Sequence, residues 1–187
     1  KWYNPLTYPG KLIEIATRSP YSHVGIILKS PTYIDEKLTG IYLWESDSDG
    51  TKDAETNQIK LGVKLTPIEE VMKWKEYIYL KKINKTFSHK FDDESVKTLY
   101  EVTKDVPYDY NIRDWIGAFF RNKLIKTDRR MFCSAFVAFI LVQLGYLKLC
   151  CDFSIIQPKD FDINYSKYLN RYLIYYTAYS DDIIQIK

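Results

Sequence analysis

The sequence predicts an α+β domain in which an antiparallel sheet packs against helices. Two observations carry that prediction. Segments with strand character come first, helical segments follow, and a tyrosine-rich strand closes the chain, which is the order expected when strands and helices segregate. The second observation is the stretch from Arg130 to Gly145, which is apolar on every side after Cys133 and stops at a glycine. A helix that is apolar all round lies inside a core, and glycine suits the left-handed residue that ends a helix.

Residues 1–10 are aromatic and proline-containing without periodicity and read as irregular. Leu12, Ile13, Ile15 and Ala16 mark a short helix from Lys11 to Thr17, closed by Ser19-Pro20. Tyr21 to Leu28 reads as a strand from its β-branched content, with His23 near its start, and Lys29 to Gly40 reads as a loop. Ile41 to Ser46 is a second strand with Glu45 at its end, and an acidic loop from Asp47 to Asn57 follows. Ile59 to Leu65 alternates apolar and polar residues and reads as a third strand. Thr66-Pro67-Ile68-Glu69 has capping-box spacing with proline at the first helical position, so a helix is expected through Lys75. Tyr77 to Ile83 is a fourth strand. Asp92 opens an amphipathic helix with Val96, Leu99, Tyr100 and Thr103 inward, ending before Pro107. Pro107 to Tyr110 reads as a turn, Ile112 to Phe120 as a helix, Gln157 to Phe161 as a loop, and Tyr172 to Tyr179 as the closing strand.

A chain of 187 residues fits one domain, 1–187, with a core of its own. A net charge of +3 is too small to argue for nucleic acid as a partner. Three cysteines, two of them adjacent (Cys150 and Cys151), do not make a disulfide framework, so a reducing, intracellular compartment is expected. No stretch reaches the ~18–20 apolar residues of a membrane span. No leader is visible, although residue 1 is lysine, which leaves room for a missing first segment. Cys150, Cys151 and His89 lack zinc-site spacing, and no metal or other cofactor is expected. No phosphate-cradling glycine loop is present.

Cys133 falls in the first turn of its helix, where unpaired backbone N–H groups and the positive end of the dipole favour a thiolate. Arg121, Lys123, Lys126, Arg129 and Arg130 lie just upstream. Taken alone, Cys133 reads more readily as a small hydrophobe in a core helix. A cysteine nucleophile needs a base within hydrogen-bond reach and a third group to hold that base. The chain has two histidines. His89, between Ser88 and Lys90, reads as solvated in a polar connection, which leaves His23. The basic run at 121–130 reads as a solvated linker, with acidic lipid or nucleic acid as other partners.

The residues resemble the NlpC/P60 superfamily of papain-like thiol enzymes in its circularly permuted branch. The histidine motif is matched by Ala16-Thr17-Arg18-Ser19-Pro20-Tyr21-Ser22-His23-Val24-Gly25-Ile26, and the third polar residue by Glu45 in Leu43-Trp44-Glu45-Ser46. Pro107-Tyr108-Asp109 resembles the family's proline–tyrosine turn, Phe132-Cys133-Ser134-Ala135-Phe136-Val137 its nucleophile motif, and Pro158-Lys159-Asp160-Phe161 its late proline loop. The order histidine, polar residue, tyrosine, cysteine is the permuted one. The resemblance runs from Leu12 to Phe161. Two departures stand out: Ala135 occupies a position commonly acidic in this branch, and residues 1–10 lack the usual opening Gly-Asp strand.

The resemblance implies a papain-like fold in which His23 and Glu45 sit side by side on neighbouring strands and meet Cys133. Cys133 would be the nucleophile, His23 the proton carrier and Glu45 the residue that fixes the imidazole tautomer. Tyr108 would help bind the oxyanion, or be a turn aromatic that only packs. Glu45 as a solvated strand end is the alternative to its implied role. Relatives act on peptide amides or lipid acyl groups. Many aromatics and the basic segment lean toward a lipid or membrane-surface substrate. The resemblance extends to members encoded by large DNA viruses, including poxviruses, which implies a virion or infected-cell setting. The other class of function it allows is a non-catalytic binding or virion-structural module.

Overall fold

A computed structural model describes residues 18–75, 77–83, 91–109, 130–162, 166–173 and 179–185. Within them the chain is α+β. A three-stranded antiparallel sheet has the order β1 (Ile26–Lys29), β2 (Ile41–Asp47), β3 (Gly62–Pro67). A separate antiparallel pair joins β4 (Tyr79–Ile83) to β5 (Tyr179–Gln185), with a register irregularity between Lys81 and Ile83. The helices are α1 (Ile68–Trp74), α2 (Asp93–Thr103) and α3 (Cys133–Gln143). The antiparallel strands are therefore divided between two small sheets.

Helix α3 is the centre of packing. Its residues from Cys133 to Ala138 and from Ile140 to Val142 are all buried, as the uniform hydrophobicity predicts. Its C-terminus turns over at Gly145 with φ +71°, and Tyr146 N–H donates back to Leu141 O at 2.8 Å. Phe136 meets Trp44 of β2 edge-on with centroids 5.2 Å apart, and Tyr100 of α2 lies 6.1 Å from Trp44 on another side. These side chains, with Val63, Leu65, Ile140 and Tyr146, form the core. Helix α2 begins as read: the Asp92 side chain accepts from Ser95 N–H, and Val96, Tyr100 and Thr103 are buried while Leu99 packs half-buried. Among the described residues no helix is long and apolar enough to cross a membrane.

Several elements differ from the sequence reading. The first strand starts at Ile26 and not at Tyr21, so His23 lies in the extended segment leading into β1. The third strand starts at Gly62 and not at Ile59. Gly62 has φ +141°, and a Cβ there would fall 2.3 Å from Val106 O, because the chain at Val106–Pro107 crosses directly against it. Gly62→Ala is therefore expected to lower the unfolding free energy by about 2 kcal/mol in urea denaturation. The capping box at Thr66 does not form. Pro67 is the N-cap, without a side-chain hydrogen bond, because the Thr66 hydroxyl is committed to Glu45. Pro107 and Tyr108 are not a simple turn. They are extended bridges, Gly62 with Pro107 and Tyr108 with Met131, that strap the β3 side of the sheet to the approach of α3. Gln157–Phe161 is ordered as a 3-10 turn, Pro158–Phe161, in which Asp160 accepts from Gln157 N–H at 2.8 Å. Of the expected closing strand, residues 174–178 lie outside the described residues; Leu169–Tyr172 is a 3-10 turn, and a strand is described at Tyr179–Gln185. The expected helices at Lys11–Thr17 and Ile112–Phe120, the basic residues 121–129 and His89 lie outside the described residues.

The acidic segment after β2 is folded onto the sheet. Lys64 of β3 is fully buried and donates to Asp49 Oδ1 at 2.5 Å and Thr51 Oγ1 at 2.6 Å. Buried Asp53 accepts from Leu65 N–H at 2.9 Å.

Candidate functional site

The site forms where the end of the β1–β2 ladder meets the first turn of α3. Glu45 lies near the end of β2 and is 1% exposed. Its Oε1 accepts the Thr66 hydroxyl from β3, and its Oε2 accepts from His23 Nε2 at 2.7 Å. Thr66 sits opposite Leu43 in the β2–β3 register, one diagonal step from Glu45, which is why its side chain reaches the carboxylate. A buried carboxylate needs such partners. Glu45 is thus an interior anchor and not a solvated strand end.

His23 reaches Glu45 because the chain crowds β2 just before β1. A Cβ on Gly25 would stand 2.8 Å from Leu43 Cδ1 and 3.0 Å from Trp44 O, so a larger residue here would have to push Leu43 aside and crowd the Trp44 carbonyl. The Cys133 sulfur also lies close enough to act on the charge of the imidazole. Burial of the ring works against its charge and is the largest single influence on it. The charge of the Cys133 sulfur, the hydrogen bonds to Cys133 and Glu45, and the charge of Asp47 together outweigh burial and hold His23 well above the ordinary histidine range.

Cys133 is the first residue of α3 and is 3% exposed. The N-cap, Phe132, supplies no side-chain hydrogen bond, so no side chain caps the first turn. Ser134 is turned away, its hydroxyl donating to Ile156 O at 2.7 Å. The Tyr108 ring packs with Phe132 and Ala135 beside that turn. Of the four residues singled out from the sequence, His23, Glu45 and Cys133 are brought together, while Tyr108 packs against Phe132 and Ala135 on either side of Cys133 in the chain. Cys150 is exposed and Cys151 buried, both as free thiols, and burial first of all pushes the Cys151 thiol up to about 12.

Two residues at the site escaped the sequence reading. Thr66 was absorbed by the capping-box pattern. Asp47 was given to the acidic loop, although a strand one residue longer would have put it on the same face as Glu45. The ligand atoms of His23, Glu45 and Asp47 lie within 4.8 Å of one another, a grouping that could hold a metal ion. Both Glu45 oxygens are already engaged, however, and Lys75 Nζ stands 3.6 Å from Asp47.

Beside His23 lies a cavity of about 740 Å³, lined largely by apolar side chains including Val24, Leu43, Val71, Val137 and Phe161. That is within the range of small-molecule sites. The His23 side chain is 17% exposed and forms part of the cavity wall. Compared with family models, curated proteins and solved structures, the chain matches none of them.

Proposed function

We propose that this chain is a thiol hydrolase or acyltransferase on a permuted, papain-like NlpC/P60 domain, acting on an amide or ester bond of a peptide or acyl-lipid substrate. One arrangement supports it: a half-buried imidazole that faces a cysteine sulfur at a helix start and is hydrogen-bonded to a threonine-anchored carboxylate. Structural cysteines rarely acquire such a partner, whereas nucleophilic ones require it.

In this reading Cys133 gives its proton to His23 and attacks the substrate carbonyl carbon. With Nε2 held by Glu45, the other ring nitrogen serves the sulfur. The developing oxyanion is met by N–H groups of the first turn of α3 and by the Tyr108 hydroxyl, each such donor being worth ~3–4 kcal/mol in the transition state. Collapse expels the amine or alcohol, which leaves with the proton from His23. Water or another acceptor, deprotonated by His23, then releases the acyl group and restores the thiol.

The test is alkylation of Cys133 by iodoacetamide at pH 6 in a Cys150→Ser background, with modification mapped by mass spectrometry. A thiol paired with imidazolium is expected to react about tenfold faster than a free thiol, which is almost wholly protonated there. His23→Ala is expected to abolish the advantage. The competing reading, a non-catalytic binding or virion-structural module, is favoured by the 3% exposure of Cys133. It prevails if Cys133 reacts no faster than a free thiol and His23→Ala leaves the rate alone.

A further inference from the structure

Glu45 is not the only carboxylate facing His23. Asp47 lies two residues further along β2, and residues i and i+2 of a strand share a face. The β1–β2 register agrees: continued beyond Ile26 opposite Trp44, it sets Gly25 opposite Glu45 and His23 opposite Asp47. The side chains follow, with the His23, Glu45 and Asp47 ligand atoms within 4.8 Å of one another. Asp47 Oδ1 accepts from Ser48 N–H at 2.7 Å. Oδ2 is buried and accepts no hydrogen bond among the described residues. Its cationic neighbour is Lys75, 3.6 Å away, immediately after α1 and on the wall of the cavity that His23 also lines. Lys75 is 36% exposed against 13% for Asp47, so the pair runs from the site outward.

We propose that Asp47 is a positioning residue for His23 that acts by charge, and that Lys75 sets how much of that charge the imidazole feels. For its effect on the sulfur the proposal rests on the Cys133–His23 reading above; for the titration of His23 it does not. The two carboxylates divide the work. Glu45 holds the ring by a hydrogen bond, and Asp47, which makes none to it, stabilises the imidazolium through space. Among the described residues, the ionisable groups named next are committed elsewhere or already counted. Cys133 faces it from α3. Asp160 and Asp162 line the same cavity, but Asp160 accepts from Gln157 N–H and Ser166, and Asp162 from the Tyr21 hydroxyl. Lys64, opposite Glu45 in register, is turned to Asp49.

The chain has two histidines, so the imidazole signals of a histidine-labelled sample report two titrations, assigned with His89→Gln. Asp47→Asn is expected to move the His23 midpoint to lower pH and to slow Cys133 alkylation at pH 7 by about 1.5- to 5-fold, the span of a partly screened charge interaction. Asp47→Glu restores most of both. Lys75→Met moves the midpoint up and speeds alkylation, and does neither when Asp47 is already Asn. The proposal is overturned if the His23 midpoint ignores Asp47→Asn. It is equally overturned if the Lys75→Met shift survives in the double variant. Should Asp47→Asn fail to fold, Lys75→Met decides, since an unchanged midpoint in that variant also sinks the idea. A midpoint that shifts while alkylation ignores His23→Ala would keep the charge pair and remove the nucleophile reading.

Discussion

Trp44→Ala is expected to lower the unfolding free energy by about 3–5 kcal/mol, the range for deleting a fully buried large aromatic. Trp44 has no exposed surface and contacts an aromatic ring from each of α2 and α3. It also stands opposite Ile26 and Leu65, so its loss hollows the middle strand where both ladders meet. The indole carries a liability, since Nε1 is buried without a hydrogen-bond partner among the described residues. A buried orphan donor costs about 1–3 kcal/mol. Trp44→Phe removes that donor while keeping a ring between Tyr100 and Phe136, and its cost is expected to stay near 1 kcal/mol. Urea denaturation of both variants checks the pair. A phenylalanine variant as unstable as the alanine one would mean that the ring contacts contribute little.

Asp49→Asn is expected to cost about 3 kcal/mol at neutral pH, because it leaves the Lys64 ammonium buried without a counter-charge. The value sits at the low end for such a loss, since Asp49 itself is 32% exposed. Burial is the largest single influence on Asp49 and opposes its charge, but hydrogen bonds from Lys64 and Thr51 and the Lys64 charge win, holding the carboxyl at about 2 against an ordinary 3.8. The sign follows. The folded state binds this proton more weakly than the unfolded chain, so the stabilisation is complete above pH 4 and is lost as pH falls from there toward 2. Wild-type stability should decline through that window more steeply than that of Asp49→Asn. Lys64→Met, which removes the buried charge and leaves Asp49 reachable by water, is expected to be close to neutral. Urea titrations at pH 7 and pH 3 measure all three proteins, and an asparagine variant as stable as wild type at pH 7 would contradict the account.

What could be read from the sequence divides along physical lines. Helix α3 was plain because nothing polar interrupts its faces from Ala135 to Val142, and a continuous apolar run bounded by glycine has few other solutions. Strand β2 was plain for a similar reason. The ends of elements were not. The start of β1 depends on where pairing with β2 stops, and the start of β3 depends on Val106 and Pro107 crossing at Gly62, neither of which is a local property. Nor does local pattern say which strands pair, so the division into two sheets was invisible. At the site, His23, Glu45 and Cys133 were legible because histidine is scarce in this chain and their surroundings carried a recognisable pattern. Thr66 was hidden by a competing local role, since its spacing to Glu69 fits a cap equally well and only the buried carboxylate across the sheet decides between them. Asp47 was hidden by a one-residue error in a strand boundary.

The Ser46 hydroxyl donates to Met131 O at 2.7 Å across a sequence separation of 85 residues, and it ties β2 to the entrance of α3. Contacts of that reach close late in folding, because their loop entropy must be met before they return anything. A nascent chain that has emerged only through the first hairpin carries His23 and Glu45 but not yet Cys133. The three side chains thus come together only when the far segment docks against β2.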